Sequence, residues 1–382
     1  MSARGPRLVV STGCPSGVGP DVSLLAAATG LPRGARVVLL GDLGCLAERA
    51  RAVGVDAARL ARVTTAAEGF ALPPGLLGVV TPHRALSARE RRAGVPSRAG
   101  GAAQLAYVDL GADWARAGLA DALVTGPVSK AAVVRSGAPG SRAFAGHTEH
   151  LMRRLGAPSV TMAFWSRTFT TSLVTTHLAL RQVPRAITRA EVLRATLHTA
   201  RFLSDLAAGP VALAVAGLNP HAGEEGLLGG EELAVIGPAV RAARRALTRE
   251  ALAQVTVEGP VPAETALRLA AAGAYAGVVA MFHDQATIAM KLTGFGEAVN
   301  VSLGLPIVRT SVDHGTAYDR AGTGAADARG MREALRLAAR MARARGACQR
   351  STLNASHTST TTHTSPTPTV SCHGALSRLG AR

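Results

Sequence analysis

Lysine is nearly missing from these 382 residues: it stands only at Lys130 and Lys291, although Lys and Arg together number 42. Arginine replaces lysine freely on a solvated surface, but not where a compact ammonium is needed. The two survivors, both in polar segments flanked by Gly and Pro, therefore mark candidate functional positions. Aromatics make up 3% of the chain, too few for the stacking platforms of nucleic-acid binders. The net charge of +17 is carried by arginines spaced along Ala- and Leu-rich stretches such as VRAARRALTREALAQV. That pattern suits solvated helix faces and argues against a specific nucleic-acid partner. A basic polyanion-binding protein is the non-enzymatic alternative. The four cysteines, Cys14, Cys45, Cys348 and Cys372, show no CxxC spacing, so free thiols are expected rather than a disulfide framework or zinc ribbon. No apolar run reaches the roughly 18 to 20 residues of a membrane span. The opening MSARGPRLVVSTGCPSG has too short an apolar stretch for a secretory signal, which makes the cytoplasm the expected compartment.

What is present is a β-α rhythm. Apolar runs RLVVSTG, ARVVLLGD, LLGVVTP, DALVTGPV, SVTMAFW, TTSLVTTH, PVALAVAGLNP and AGVVAMFHD alternate with helical segments such as TRAEVLRATLHTARFLSDL, and VNVSLGL and IVRTSV follow as two more strand-like runs. Runs of this length bounded by Gly and Pro suit strands covered on both faces, so an α/β fold with a largely parallel sheet is expected. From Cys348 the text becomes rich in Ser, Thr, Pro and His, and residues 348–382 read as a disordered tail.

Polar motifs fall at strand ends, where open α/β sheets place their chemistry. GCPSGVGP at 13–20 is a tight turn or a weak anion cradle, since it lacks both GxGxxG and a Walker lysine. TGPVSK at 125–130 is a fair anion-binding set. GHTEHL offers His147 and Thr148 where a helix begins, with Glu149 in its first turn as the macrodipole favours and Thr148 either capping the helix or contacting phosphate. His177, His221 and His283 each follow an apolar strand, so a parallel sheet brings them to one edge. Three neutral imidazoles suit Zn²⁺, Co²⁺ or Fe²⁺ better than Mg²⁺ and leave coordination positions for a substrate hydroxyl. Lys291, Asn300 and Arg309 are the cationic and hydrogen-bonding surround for an anionic substrate. Asp284, beside His283, either accepts a proton or orients that imidazole.

In their order, GCPSGVGP, TGPVSK, GHTEHL, TTHLAL, LNPHAGE, GPVPAE, MFHDQ and VNVSLGLPIVRTSVDHGTAYDRAG resemble the 4-hydroxythreonine-4-phosphate dehydrogenase family of pyridoxal phosphate biosynthesis, from about Leu8 to Arg345. The resemblance implies a two-domain α/β/α fold like that of isocitrate and isopropylmalate dehydrogenases, with an active-site cleft between domains 1–134 with 302–347 and 135–301. It also implies a homodimer whose sites are shared, two of the metal ligands His177, His221 and His283 coming from one subunit and the third from its partner. His147, Thr148, Lys291, Asn300 and Arg309 would hold a phosphorylated substrate, Asp284 and Lys291 would serve catalysis, and NAD would oxidise the substrate's hydroxyl. His314, Gly315 and Thr316 match the cofactor loop of isopropylmalate dehydrogenases. A paralogue acting on phosphorylated threonate or erythronate would share all of this. The chain departs from the family pattern at Cys14, Asp21, Glu264 and Ala286.

Overall fold

The computed structural model describes residues 5–294 and 296–358. Twelve strands form one sheet: β1 Arg7–Ser11, β2 Arg36–Leu40, β3 Leu60–Arg62, β4 Leu77–Val80, β5 Ala122–Thr125, β6 Thr161–Trp165, β7 Thr170–Leu173, β8 Val211–Ala216, β9 Val255–Val261, β10 Gly277–Ala280, β11 Val299–Leu303 and β12 Arg309–Val312. Their order across the sheet is β3-β4-β2-β1-β5-β12-β11-β6-β7-β10-β8-β9. The first six are mutually parallel, as are the last four. Between them β11 and β6 are antiparallel to both of their neighbours. The two parallel blocks consequently run in opposite directions.

Strand parity distributes the core, because successive side chains point to opposite faces of the sheet. On one face Leu8, Val10, Leu39, Val124, Leu213, Val215, Val279 and Val301 belong to a single apolar cluster running the whole width of the sheet. The helices Gly19–Thr29, Arg189–Leu206, Gly237–Arg249 and Arg329–Thr358 contribute Val22, Val192, Val240 and Leu335 to it. The other face holds two separate clusters. Val9, Val38 and Leu123 pack with the helices Arg98–Arg116 and His147–Leu155, and Phe164, Leu173 and Val278 pack with Ala263–Ala271 and His283–Gly294. Polar residues occupy the strands between them.

Each apolar run expected to be a strand forms one. The two strands not anticipated, β3 and β9, are the sheet's edges. β9 alternates buried and exposed residues at its start, so it never displays the continuous apolar run of a strand covered on both faces. The helix expected over Val240 to Val255 stops at Arg249, with Ala251 at φ +56° breaking it before β9. At the other end of the chain the last helix runs to Thr358, into the segment read as a tail. Helix propagation from an Ala- and Arg-rich stretch costs little per residue once nucleated. Residues 359–382 lie outside the described residues. No helix among the described residues is long and apolar enough to cross a membrane.

Candidate active site

The register aligns a polar strip down the middle of the divided face. Thr125 ends β5 and pairs in register with Ser311 of β12, which pairs with Asn300 of β11. Parity puts Arg309 and Ser302 on the same face. Arg309 is buried at 2% exposure. One terminal nitrogen donates to Asn300 Oδ1 and Ser302 Oγ, each at 3.0 Å, and the other to Thr125 Oγ1 at 2.8 Å. Its Nε is buried with no partner, and no carboxylate pairs with it among the described residues. Burial pulls the guanidinium down to about 9, which still leaves it cationic at neutral pH. A buried cation with neutral partners and one open donor is costly until an anion reaches it.

Over this strip sits the start of the helix His147–Leu155, whose N-cap Gly146 provides no side-chain cap. Thr148 does not cap it either, because its Oγ1 lies 3.3 Å from Ser302 Oγ, on the sheet. The first-turn N–H groups thus keep the partial positive charge that favours anions. His147 Nε2 is buried without a partner. Burial, then Arg309, His150 and Lys130, hold the ring well below the usual imidazole range, so it is neutral at pH 7. The sign of its linkage follows: an imidazole depressed in the folded state contributes no penalty above the unfolded value near 6.5, and stability falls as pH drops below it, where only the unfolded chain takes up the proton. The thermal midpoint of the wild type should therefore drop more steeply from pH 7 to pH 5 than that of His147→Gln. Parallel pH profiles in differential scanning calorimetry would refute this.

At the shared C-terminal edge of β7, β10 and β8 the structure places the three histidines, but only two meet. His177 and His283 have ring centroids 5.6 Å apart. Two imidazoles bound tetrahedrally to one cation through bonds of about 2.1 Å would have centroids roughly 5 Å apart, so the pair fits a divalent metal. His283 Nδ1 is 2.7 Å from Asp284 Oδ1, which fixes the tautomer and frees Nε2 for a cation. Burial, then Lys130 and His283, lower His177, which favours the unprotonated form that a metal ligand needs. His221 does not join them. Among the described residues no three His, Cys, Asp or Glu side chains form a metal-binding group.

The reason lies in the backbone. His221, Ala222, Gly223, Glu224 and Glu225 all take positive φ, and each non-glycine residue there costs about 1–2 kcal/mol. The turn is held by Glu232, a buried carboxylate that accepts from the backbone N–H of Leu218 at 2.7 Å and Asn219 at 2.8 Å. It carries His221 onto the exposed surface.

The remaining site residues are more dispersed. Lys291 is exposed near the end of the helix His283–Gly294. Burial pushes up the carboxyl of the half-buried Asp313, and Lys291, His314 and His283 oppose that shift. His314 and Gly315 are exposed, and Thr316 is half-buried. The Thr316 carbonyl accepts from Val18 N–H at 2.8 Å, Cys14 N–H donates to the Pro127 carbonyl and Gly17 N–H to the Cys14 carbonyl. The GCPSGVGP loop spends these N–H groups inside the protein, so it is a tight turn and not a phosphate cradle. Asp21 locks it through Arg49 at 2.8 Å and Gly322 N–H at 3.2 Å. Cys14 Sγ, where the family pattern has an acid, lies 3.6 Å from Tyr318 Oη.

The roles of three residues escaped the sequence reading. Thr125 and Ser302 hold Arg309 and are found only by counting strand parity. Glu149, read there as a residue suited to the helix macrodipole, influences both Arg309 and His177. Lys130 likewise acts on both His147 and His177. The Arg309 pocket and the imidazole pair adjoin one cavity, since Thr148, 3.3 Å from Ser302, lines it together with Thr175 and Thr176, which directly precede His177.

Residues 33–338 match the family model described as pyridoxal phosphate biosynthetic protein PdxA. A 4-hydroxythreonine-4-phosphate dehydrogenase of Acidithiobacillus ferrooxidans is 43% identical over 345 residues, 90% of this chain and 98% of that protein. One from Geobacter metallireducens is 39% identical over 91% of this chain and 98% of its own length. Among solved structures, the 4-hydroxythreonine-4-phosphate dehydrogenase of Klebsiella pneumoniae superposes with a TM-score of 0.76 at 33% identity, covering 88% of this chain and 99% of that one. A terephthalate 1,2-cis-dihydrodiol dehydrogenase of Burkholderia xenovorans reaches 0.61 at 28% identity, covering 88% and 98%.

Proposed function

The chain belongs to the PdxA family and is an oxidoreductase, and on that premise we propose that it oxidises 4-phosphooxy-L-threonine to 2-amino-3-oxo-4-phosphooxybutanoate with NAD and a divalent metal, preferably Zn²⁺ or Co²⁺. Decarboxylation to 3-amino-2-oxopropyl phosphate follows, and the cytoplasm is the proposed site of action. The observation that carries this reading is Arg309, a buried guanidinium with an open Nε and no carboxylate partner among the described residues, on the same sheet face as the helix start that leaves His147 Nε2 unpaired.

Arg309, His147, Thr148 and the first-turn N–H groups would bind the phosphate, with Thr125, Asn300 and Ser302 fixing the guanidinium. His177 and His283 would hold the metal together with His221 of the partner subunit, and Asp284 orients His283. When bound, the two groups supply acidification of the alcohol by the cation and acceptance of hydride by the nicotinamide. Lys291 would stabilise the enolate charge left when a β-keto acid loses CO₂. The loop of His314, Gly315 and Thr316 would contact NAD.

A homodimer with shared sites is part of the proposal, and exposed apolar side chains support it. Leu178 and Leu180 follow His177, Leu227 at 83% exposure and Leu233 follow His221, and Ile288 and Leu292 at 82% follow His283. A clustering of large exposed apolar residues beside all three ligands is the mark of a surface that another subunit covers.

Reduction of NAD by the purified protein with 4-phosphooxy-L-threonine tests the reading. Absorbance at 340 nm should rise, stop on treatment with a chelator and recover on adding Zn²⁺ or Co²⁺. Turnover that survives the chelator would remove the metal from the mechanism.

A further inference from the structure

We propose that Glu149 receives the α-ammonium group of the substrate, so that this site selects a phosphorylated 2-amino acid over its 2-hydroxy counterpart; the inference rests on the function proposed above. Glu149 is half-buried in the first turn of its helix and makes no hydrogen bond or ion pair among the described residues. Its neighbours in the cavity are satisfied. Glu149 lines a space of about 330 Å³ with Thr148, Thr175, Thr176, Glu191 and Arg194. There Glu191 is paired with Arg194 at 2.7 Å, and Thr175 donates to the Met281 carbonyl at 2.7 Å.

Gly146 makes room for the free carboxylate. A Cβ at that position would meet Glu149 Oε2 at 3.0 Å and Lys130 Nζ at 3.5 Å, so the bare glycine lets an acid and an ammonium approach one spot without an ion pair forming between them. The carboxylate shares that cavity with Thr175 and Thr176, which directly precede His177, and Thr148 beside it reaches Ser302 Oγ, which accepts from Arg309. A substrate with its C4 phosphate at Arg309 and its C3 alcohol at the metal carries its C2 substituent one carbon beyond the reacting alcohol, on the imidazole side of the anion pocket and toward the cavity that Glu149 lines. An unpaired carboxylate there opposes a wholly anionic substrate by like-charge repulsion and gains a charge-assisted hydrogen bond only if the substituent is an ammonium.

The test is a two-by-two kinetic comparison of wild type and Glu149→Gln, each with 4-phosphooxy-L-threonine and with its 2-hydroxy analogue. Wild type should prefer the amino substrate. In Glu149→Gln, kcat/KM for the amino substrate should fall about 10- to 100-fold, mainly through KM, while that for the hydroxy analogue stays level or rises. Structural damage would lower both alike. Glu149→Asp, which keeps the charge, should retain most of the preference and decides the matter if the Gln variant does not fold. An unchanged amino-to-hydroxy ratio in Glu149→Gln, with wild type still preferring the amino substrate, overturns the role of Glu149 alone. A wild type that turns over neither substrate, or prefers the hydroxy analogue, overturns the proposed function and this inference with it.

Discussion

Arg309→Met is expected to lower kcat/KM on the phosphorylated substrate by about 10²- to 10³-fold while leaving the thermal midpoint unchanged or raised. The two halves of that outcome come from one feature. In the free protein the guanidinium is held by Asn300, Ser302 and Thr125, all neutral, so its removal from water is only partly offset. Exchanging a buried charge for an apolar side chain of similar volume is often neutral or stabilising. Losing the charge-assisted contact to a dianion costs about 3–4 kcal/mol in binding and transition-state stabilisation. Inorganic phosphate should correspondingly raise the midpoint of the wild type and not that of the variant. Steady-state kinetics and scanning fluorimetry on the same preparations check both halves. A variant that is destabilised by several degrees and still turns over normally would mean that Arg309 serves the fold and not the substrate.

His221→Ala and His283→Ala should each be inactive alone, and yet an equal mixture, unfolded and refolded together, should recover about a quarter of wild-type activity. The arithmetic is that of a twofold assembly: about half of the dimers are mixed, and each mixed dimer has one site that keeps all three imidazoles. The structure motivates this directly, since His177 and His283 are 5.6 Å apart whereas the left-handed turn at 221–225 carries His221 outward. Recovery requires that His221 act across subunits. If the mixture stays as inactive as its components while sedimentation shows dimers, the three histidines do not share a site across the interface.

The chain's linear order was enough to locate ten of the twelve strands, because strands covered on both faces must be apolar throughout and Gly or Pro must end them. It was also enough to collect most of the chemistry: polar groups that interrupt such strands or follow their ends, such as His147, Arg309 and His283, are expensive to place there unless they are used. The edge strands β3 and β9 carry no such signature.

What belonged to tertiary structure alone was who meets whom. Thr125 and Ser302 are ordinary hydroxyls until the β5-β12-β11 register brings them to the face of Arg309, 184 and 7 residues away along the chain. Glu149 looked like a residue chosen for a helix terminus until the fold left its carboxylate, among the described residues, without a hydrogen bond or ion pair in a cavity it shares with Thr175 and Thr176. His221, with the same residue type and the same position after a strand as His177 and His283, is set apart by five backbone dihedrals that no side-chain pattern announces. Periodicity is a local property that short-range sterics and burial impose on sequence, whereas a site is a set of distances, and distances between remote residues are settled only when register and packing close the chain on itself.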